Sequence, residues 1–175
     1  GKRTKDLSIK RDGSDTEMAK KNFDRQKRYR LMWMDTKYQP GTVKVVAYDA
    51  NGKAVAEKVM KTAGQPYKIV LEADRSSIAA DGKDISFVNV KIVDKDGNFC
   101  PTDEREISFK VKGAGTFKAV ANGNPSSLES FQTPKMKLFS GQLTALVQSA
   151  EKGGIITLEA TAKGVKAGKI SIEVR

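Results

Sequence analysis

From residue 67 onward the chain alternates. Val88, Val90 and Ile92 fall on one side of Ser86–Val93, and Asn89 and Lys91 on the other. Successive side chains of a strand point to opposite faces, so this period of two predicts a strand with one buried face. The same spacing recurs at Ile107, Phe109 and Val111 in Glu106–Lys112. It recurs at Leu143, Ala145 and Val147 in Gln142–Ser149, and at Ile156, Leu158 and Ala160 in Ile155–Ala162. Ile170, Ile172 and Val174 close the chain in the same way. With Tyr67–Ala73 and Thr116–Ala121, residues 67–175 offer about seven short strands and no convincing helix, the count of a small β-sandwich. Upstream, Arg30–Asp35, Thr42–Asp49 and Ala54–Lys61 are further strand candidates.

Turn residues punctuate this pattern. VKVVAYDANGKAVAEKVM at 43–60 and VNVKIVDKDGNFC at 88–100 each run from an apolar strand through Asp-x-x-Gly into the start of a second strand. Asp accepts hydrogen bonds from the turn backbone and Gly supplies φ > 0, so both read as hairpins. Tyr38-Gln39-Pro40-Gly41 suits a type II turn, with Pro at the first central position and Gly at the second. Ala63–Pro66 separates two β units, and Gly113-Ala114-Gly115 reads as a strand break or bulge. Asn122–Ser140 is the longest irregular stretch after the head. In it, Phe131 and Phe139 are candidate anchors onto the sandwich or onto a partner.

These observations predict an all-β chain. Residues 66–175 form an immunoglobulin-like β-sandwich, preceded by a truncated β-sandwich or sheet unit at 29–65. Three strands alone are marginally stable, so the first unit either packs on the second or is the tail of a sandwich whose earlier strands are missing. Residues 1–28 form a basic head, poorly ordered or partly helical, with Asp15–Arg28 as its helix candidate.

Composition narrows the chemistry. The chain has no histidine, which removes His-based triads, His-ligated zinc and imidazole acid–base catalysis. Its single cysteine, Cys100, excludes an internal disulfide and fits an ordinary apolar position in the sandwich. No apolar run reaches the ~18–20 residues of a membrane helix, and no signal peptide is legible. Net charge is +11 at pH 7, and residues 1–30 carry 11 Lys or Arg against five Asp or Glu. A basic head is a nucleic-acid signal only alongside stacking aromatics or a groove-reading motif, and neither accompanies it. The head reads as a solvated segment, and nucleic acid is not an expected partner.

Asp94-Lys95-Asp96-Gly97-Asn98 resembles the start of a calcium loop. However, Phe99 and Arg105 stand where that loop needs Gly at its sixth position and Glu at its twelfth, so a hairpin turn is the reading. Gly113–Gly115 has no Walker Lys-Ser/Thr and no following helix. Asp103, Glu104 and Glu106 cluster as a glycosidase carboxylate pair would, but Lys and Arg flank them and they read as solvated surface. Trp33 and Tyr38 are candidate carbohydrate contacts, because aromatic faces suit pyranose rings. The competing reading packs Trp33 into the first sheet. No catalytic, cofactor-binding or metal-ligating residue is assigned, and no cofactor is expected.

The aromatic strand at Trp33, the segment Tyr38-Gln39-Pro40-Gly41 and the run Tyr48-Asp49-Ala50-Asn51-Gly52-Lys53 resemble the end of a non-catalytic β-sandwich. That sandwich lies in the C-terminal half of glycoside hydrolase family 2 enzymes. IVLEADRSSIAADGKDISFVNVKIVDKDGN, FKVKGAGTFKAVANGNPSSLESF and FSGQLTALVQS resemble the immunoglobulin-like domain that follows it in β-galactosidases of Bacteroidetes. The resemblance covers residues 30–175 well and 1–29 loosely. It implies a chain that begins partway through a sandwich, and an upstream (β/α)₈ barrel carrying two catalytic glutamates, none of which this chain matches. The implied partners are that barrel and the preceding domains, with homo-oligomer contacts and a glycan as further candidates. The implied location is the periplasm or cell envelope. A bacterial surface adhesion or carbohydrate-binding module of immunoglobulin-like fold is the alternative.

Overall fold

The computed structural model describes residues 37–175. The expected strand Arg30–Asp35, the helix candidate Asp15–Arg28 and the candidate contact Trp33 lie outside the described residues. The chain divides into two units, Gly1–Thr62 and Ala63–Arg175, and each is described by itself.

In the first unit, β1 (Thr42–Tyr48) and β2 (Ala54–Lys61) form an antiparallel hairpin with Val43 opposite Met60 and Ala47 opposite Ala56. Asp49 builds its turn by accepting the Asn51 and Lys53 amides at 2.9 Å each. At the open end, the Gly41 amide donates to Thr62 Oγ1 (2.9 Å) and the Thr62 amide to the Gly41 carbonyl (2.8 Å). Gly41 has φ of 145°, well beyond the second central position of a type II turn, so that expectation is corrected. The glycine extends the hairpin ladder instead.

The second unit is a two-sheet sandwich. Its strands are β3 (Lys68–Ala73), β4 (Ser77–Ile78), β5 (Ile85–Val93), β6 (Glu106–Gly113), β7 (Gly115–Ala121), β8 (Lys135–Lys137), β9 (Gln142–Ser149), β10 (Gly154–Thr161) and β11 (Gly168–Val174). One sheet has the order β4-β11-β10-β6-β8 and the other β3-β5-β9-β7. Val88, Val90, Ile92, Leu143, Ala145 and Val147 from the second sheet meet Ile107, Ile156, Leu158, Ala160 and Ile172 from the first in one core. These are the positions the alternation places inward, and ten of the eleven are at most 0% exposed while Leu143 is 3%. Phe109 and Phe117 stack between the sheets with ring centroids 6.0 Å apart. Cys100 is a free, buried thiol within the core cluster.

Two features depart from the linear reading, and a third, the break at Gly113–Gly115, takes a sharper form. The turn Asp94–Asn98 forms, but its return arm is a single bridge, Val93 to Phe99, because β3 and β9 occupy both edges of β5. Residues 122–140 are not wholly irregular. They contain β8, whose Met136 pairs with Ile107 and is fully buried, and Leu138 is buried beside it. Gly113–Gly115 is where the chain leaves one sheet and enters the other. The Ala114 amide donates to the Ile155 carbonyl (3.0 Å), and the Ala150 amide to the Ala114 carbonyl (2.9 Å). A Cβ on Gly115 would lie 2.4 Å from Ile156 Cδ1 and 2.5 Å from the Gln148 carbonyl. At Gly115 the corner therefore has room only for backbone.

Candidate functional site

Three carboxylates of the second unit, Asp84, Asp94 and Asp103, serve the fold. Asp94 is buried. It accepts the Gly64 amide (2.7 Å), the Asn98 amide (2.8 Å), the Asp96 amide (3.0 Å) and Asn98 Nδ2 (3.0 Å). The Gly64 amide, then the Asn98 amide group, hold its pKa down to about 2 against the cost of burial. Asp84 is held at about 2 by the Arg75 guanidinium, with Nη2 2.8 Å from Oδ1, and by the Ala79 amide at 2.9 Å. Asp103, expected as solvated surface, is instead 8% exposed and gripped by Arg105 through Nε at 2.8 and 2.9 Å and Nη2 at 2.8 Å. Arg105 Nη1 also reaches the Lys163 carbonyl at 2.7 Å, tying the β5–β6 connection to the β10–β11 turn. A fork-shaped guanidinium can satisfy a buried carboxylate that a lone sequence neighbour would leave in water. Glu104 is exposed, and Glu106 makes a loose surface pair with Lys135 at 3.8 Å.

Asp84 and Asp94 give this fold an acid limit. A carboxylate whose pKa is depressed on folding stabilises the native state above its unfolded pKa and loses that contribution as pH falls through the folded value. The ordinary value is 3.8 and the folded value about 2 for both. The thermal midpoint is therefore expected to be level between pH 7 and 5 and to fall between pH 4 and 2. Asp94→Asn should lower the midpoint at pH 7 and shrink the acid drop. A midpoint indifferent to pH between 4 and 2 in the parent chain would remove this account.

Among the described residues no group of three or more His, Cys, Asp or Glu side chains is placed to hold a metal. Among the described residues, an open trough of about 480 Å³ is lined by Arg105, Glu106, Ser108, Thr161, Ala162 and Lys163. Its Arg105 is already committed to Asp103. The trough offers neither an enclosed apolar wall nor a facing carboxylate pair, which ligand pockets and glycoside hydrolysis require.

The candidate contacts are distributed rather than convergent. Tyr38 is 78% exposed beside the first hairpin, with its hydroxyl 3.2 Å from Thr62 Oγ1. Phe131 lies in the β7–β8 loop and is 57% exposed, and its carbonyl accepts the Val120 amide at 2.8 Å. Phe139 precedes a two-residue turn, Ser140-Gly141, both with positive φ, and is 38% exposed. The loop is internally braced. Asn122 Nδ2 donates to the Lys137 carbonyl, Asn124 Oδ1 accepts the Ser126 amide and hydroxyl, and Glu129 Oε1 accepts the Lys137 amide. This bracing presents Leu128, three residues before Phe131, fully to solvent. Alternation gives no signal for it, because a loop has no period.

The family profile described as Glycoside hydrolase family 2 C-terminal domain 5 matches residues 69–171. A profile described as a domain of unknown function matches residues 12–56. The chain is 44% identical over 136 residues to the β-galactosidase BoGH2A of Bacteroides ovatus, a match over 78% of this chain and 16% of that protein. It is 33% identical over 110 residues to a β-galactosidase of Thermoanaerobacter pseudethanolicus, over 63% of this chain and 13% of the relative. Among solved structures, a β-glycosidase from Bacteroides vulgatus superposes with a TM-score of 0.76 at 31% identity, over 82% of this chain and 18% of that one. The match thus spans only 13–16% of the length of these curated relatives.

Proposed function

The chain belongs to glycoside hydrolase family 2, as a C-terminal domain of that family, and from this we propose that it is a non-catalytic accessory part of a β-galactosidase-like enzyme of the periplasm or cell envelope. It acts by packing against the catalytic barrel and the preceding domains of its polypeptide, or by forming oligomer contacts. One observation carries the reading: the family match falls on a sandwich whose buried carboxylates are saturated by its own amides and guanidinium groups. The open trough beside Arg105 has a single carboxylate, Glu106, in its lining. The exposed side chains of the first hairpin, including Val43, Val55 and Met60, support a unit that is completed by preceding strands of a larger sandwich.

With a nitrophenyl β-galactoside the isolated chain is expected to give only the background rate, while the full-length enzyme turns over. Deleting residues 63–175 from that enzyme should lower its thermal midpoint or change its oligomeric state. Robust turnover by the isolated chain, abolished by a single carboxylate-to-amide change, would defeat the proposal. The alternative, a carbohydrate-binding or adhesion module, is favoured by the exposure of Tyr38 alone. Glycan binding by the chain that disappears with Trp33→Ala or Tyr38→Ala would establish it.

A further inference from the structure

Tyr67 stands at one end of the sandwich, held by its own backbone. Its amide donates to the Val93 carbonyl at 2.9 Å, and its carbonyl accepts the Lys166 amide at 2.8 Å. This pairing draws three segments together: the entry to β3, the β5 turn and the β10–β11 turn. Lys166 Nζ lies 4.7 Å from the Tyr67 ring centroid and Lys95 Nζ 6.0 Å from it. Lys68 follows Tyr67 directly and forms a parallel bridge with Lys166. None of the three lysines has an ion pair among the described residues. The neighbouring Asp94 is spent on Gly64, Asp96 and Asn98, and Asp96 is exposed on the same turn. The ammonium groups keep the Tyr67 hydroxyl below its ordinary pKa, Lys166 above all. Asp94 and Asp96 offset part of this charge, and the three lysines leave the turn with more positive than negative groups.

We propose that Tyr67, Lys68, Lys95 and Lys166 form a binding site for an anionic polysaccharide, a glycan bearing carboxylate or sulfate groups. The surroundings discriminate among anionic ligands. A protein partner buries an apolar centre, whereas the cluster is made of charged and phenolic groups. Single-stranded nucleic acid stacks its bases on free aromatic faces, and Lys166 and Lys95 already lie over the Tyr67 ring. A charged glycan needs only spaced cations and hydrogen-bonding groups, and this end of the sandwich supplies both. The site goes beyond the accessory role, which stands whether or not the glycan binds.

The test is calorimetric titration of the full 175-residue chain with polygalacturonate and with chondroitin sulfate, using neutral galactan and polyglutamate as controls. Saturable binding of at least one anionic glycan is expected, with no binding of galactan. The double change Lys95→Gln/Lys166→Gln should weaken it about tenfold, the loss of two charge contacts. Lys110→Gln/Lys112→Gln, on β6, should leave it unchanged, and both variants should keep the parent's thermal midpoint. Bound glycan should also raise the pH at which one tyrosine ionises, followed at 295 nm, and Tyr67→Phe should abolish that change. Equal weakening by both lysine pairs, tighter binding of polyglutamate, or an unshifted tyrosine would each overturn the proposal.

Discussion

Gly113→Ala is expected to destabilise the sandwich by about 3 kcal/mol or more, roughly 10 °C in thermal midpoint. Two costs add at this position. Gly113 has φ of 91°, a conformation that costs a residue with a Cβ about 1 kcal/mol or more. A Cβ built there would sit 1.9 Å from the Ile155 carbonyl oxygen, which is backbone and is also the acceptor of the Ala114 amide. The corner would have to open, separating β6 from β10 at the point where the chain changes sheet. Gly97 provides the matched control. Its φ is 86°, but nothing lies within 4 Å of the corresponding Cβ. Gly97→Ala should therefore cost only the backbone term, about 1 kcal/mol. Urea or thermal unfolding of the two variants separates strain from collision. Equal losses would show that the corner yields and that its close approach is not what selects glycine.

Leu158→Ala is expected to cost about 2–5 kcal/mol, the range for emptying a packed leucine site. Leu158 is on β10, the central strand of the five-stranded sheet, opposite Val111 on one side and Ile170 on the other, and it is fully buried. The strands around it are fixed by ladders on both edges, so the site cannot collapse to fill the void. Leu128→Ala removes the same atoms from a fully exposed loop position and should change stability by less than about 0.5 kcal/mol. If Leu128→Ala instead lowered the stability of a longer parent polypeptide while leaving the isolated chain untouched, Leu128 would be marked as a contact with the rest of that polypeptide. A small loss at Leu158 would mean that the two sheets are not packed as described.

How far the linear chain reveals this molecule depends on the range of the forces involved. The inward faces of β5, β6, β9, β10 and β11 are legible because alternation is a local property: a strand has two faces and water sorts its side chains between them. The turns at Asp49–Lys53 and Asp94–Asn98 are legible for the same reason, since Asp accepts amides two and four residues along its own chain. β8 is not legible. Three residues give one alternation, too few to distinguish Lys-Met-Lys from loop, and Met136 is buried only because β6 offers it an unpaired edge. Asp103 looked solvated because its neighbours are charged. It is buried because Arg105 folds back over it and anchors on Lys163, 58 residues away.

The candidate sites follow the same division. Tyr38, Phe131 and Phe139 were visible as aromatics in irregular sequence, but whether each faces solvent is a matter of what packs behind it. The Tyr67 cluster was not visible at all, because Lys68, Lys95 and Lys166 are far apart in the chain and meet only where the ends of three connections converge. The hydrophobic period and the turn chemistry are enough to establish an all-β chain, the residues of its core and the places where it reverses. Which strand lies beside which is set by the folded whole, as are the glycines that must stay bare at Gly113–Gly115 and the charges that are drawn together. Those outcomes depend on contacts between residues distant in sequence, about which neither period nor local propensity carries information.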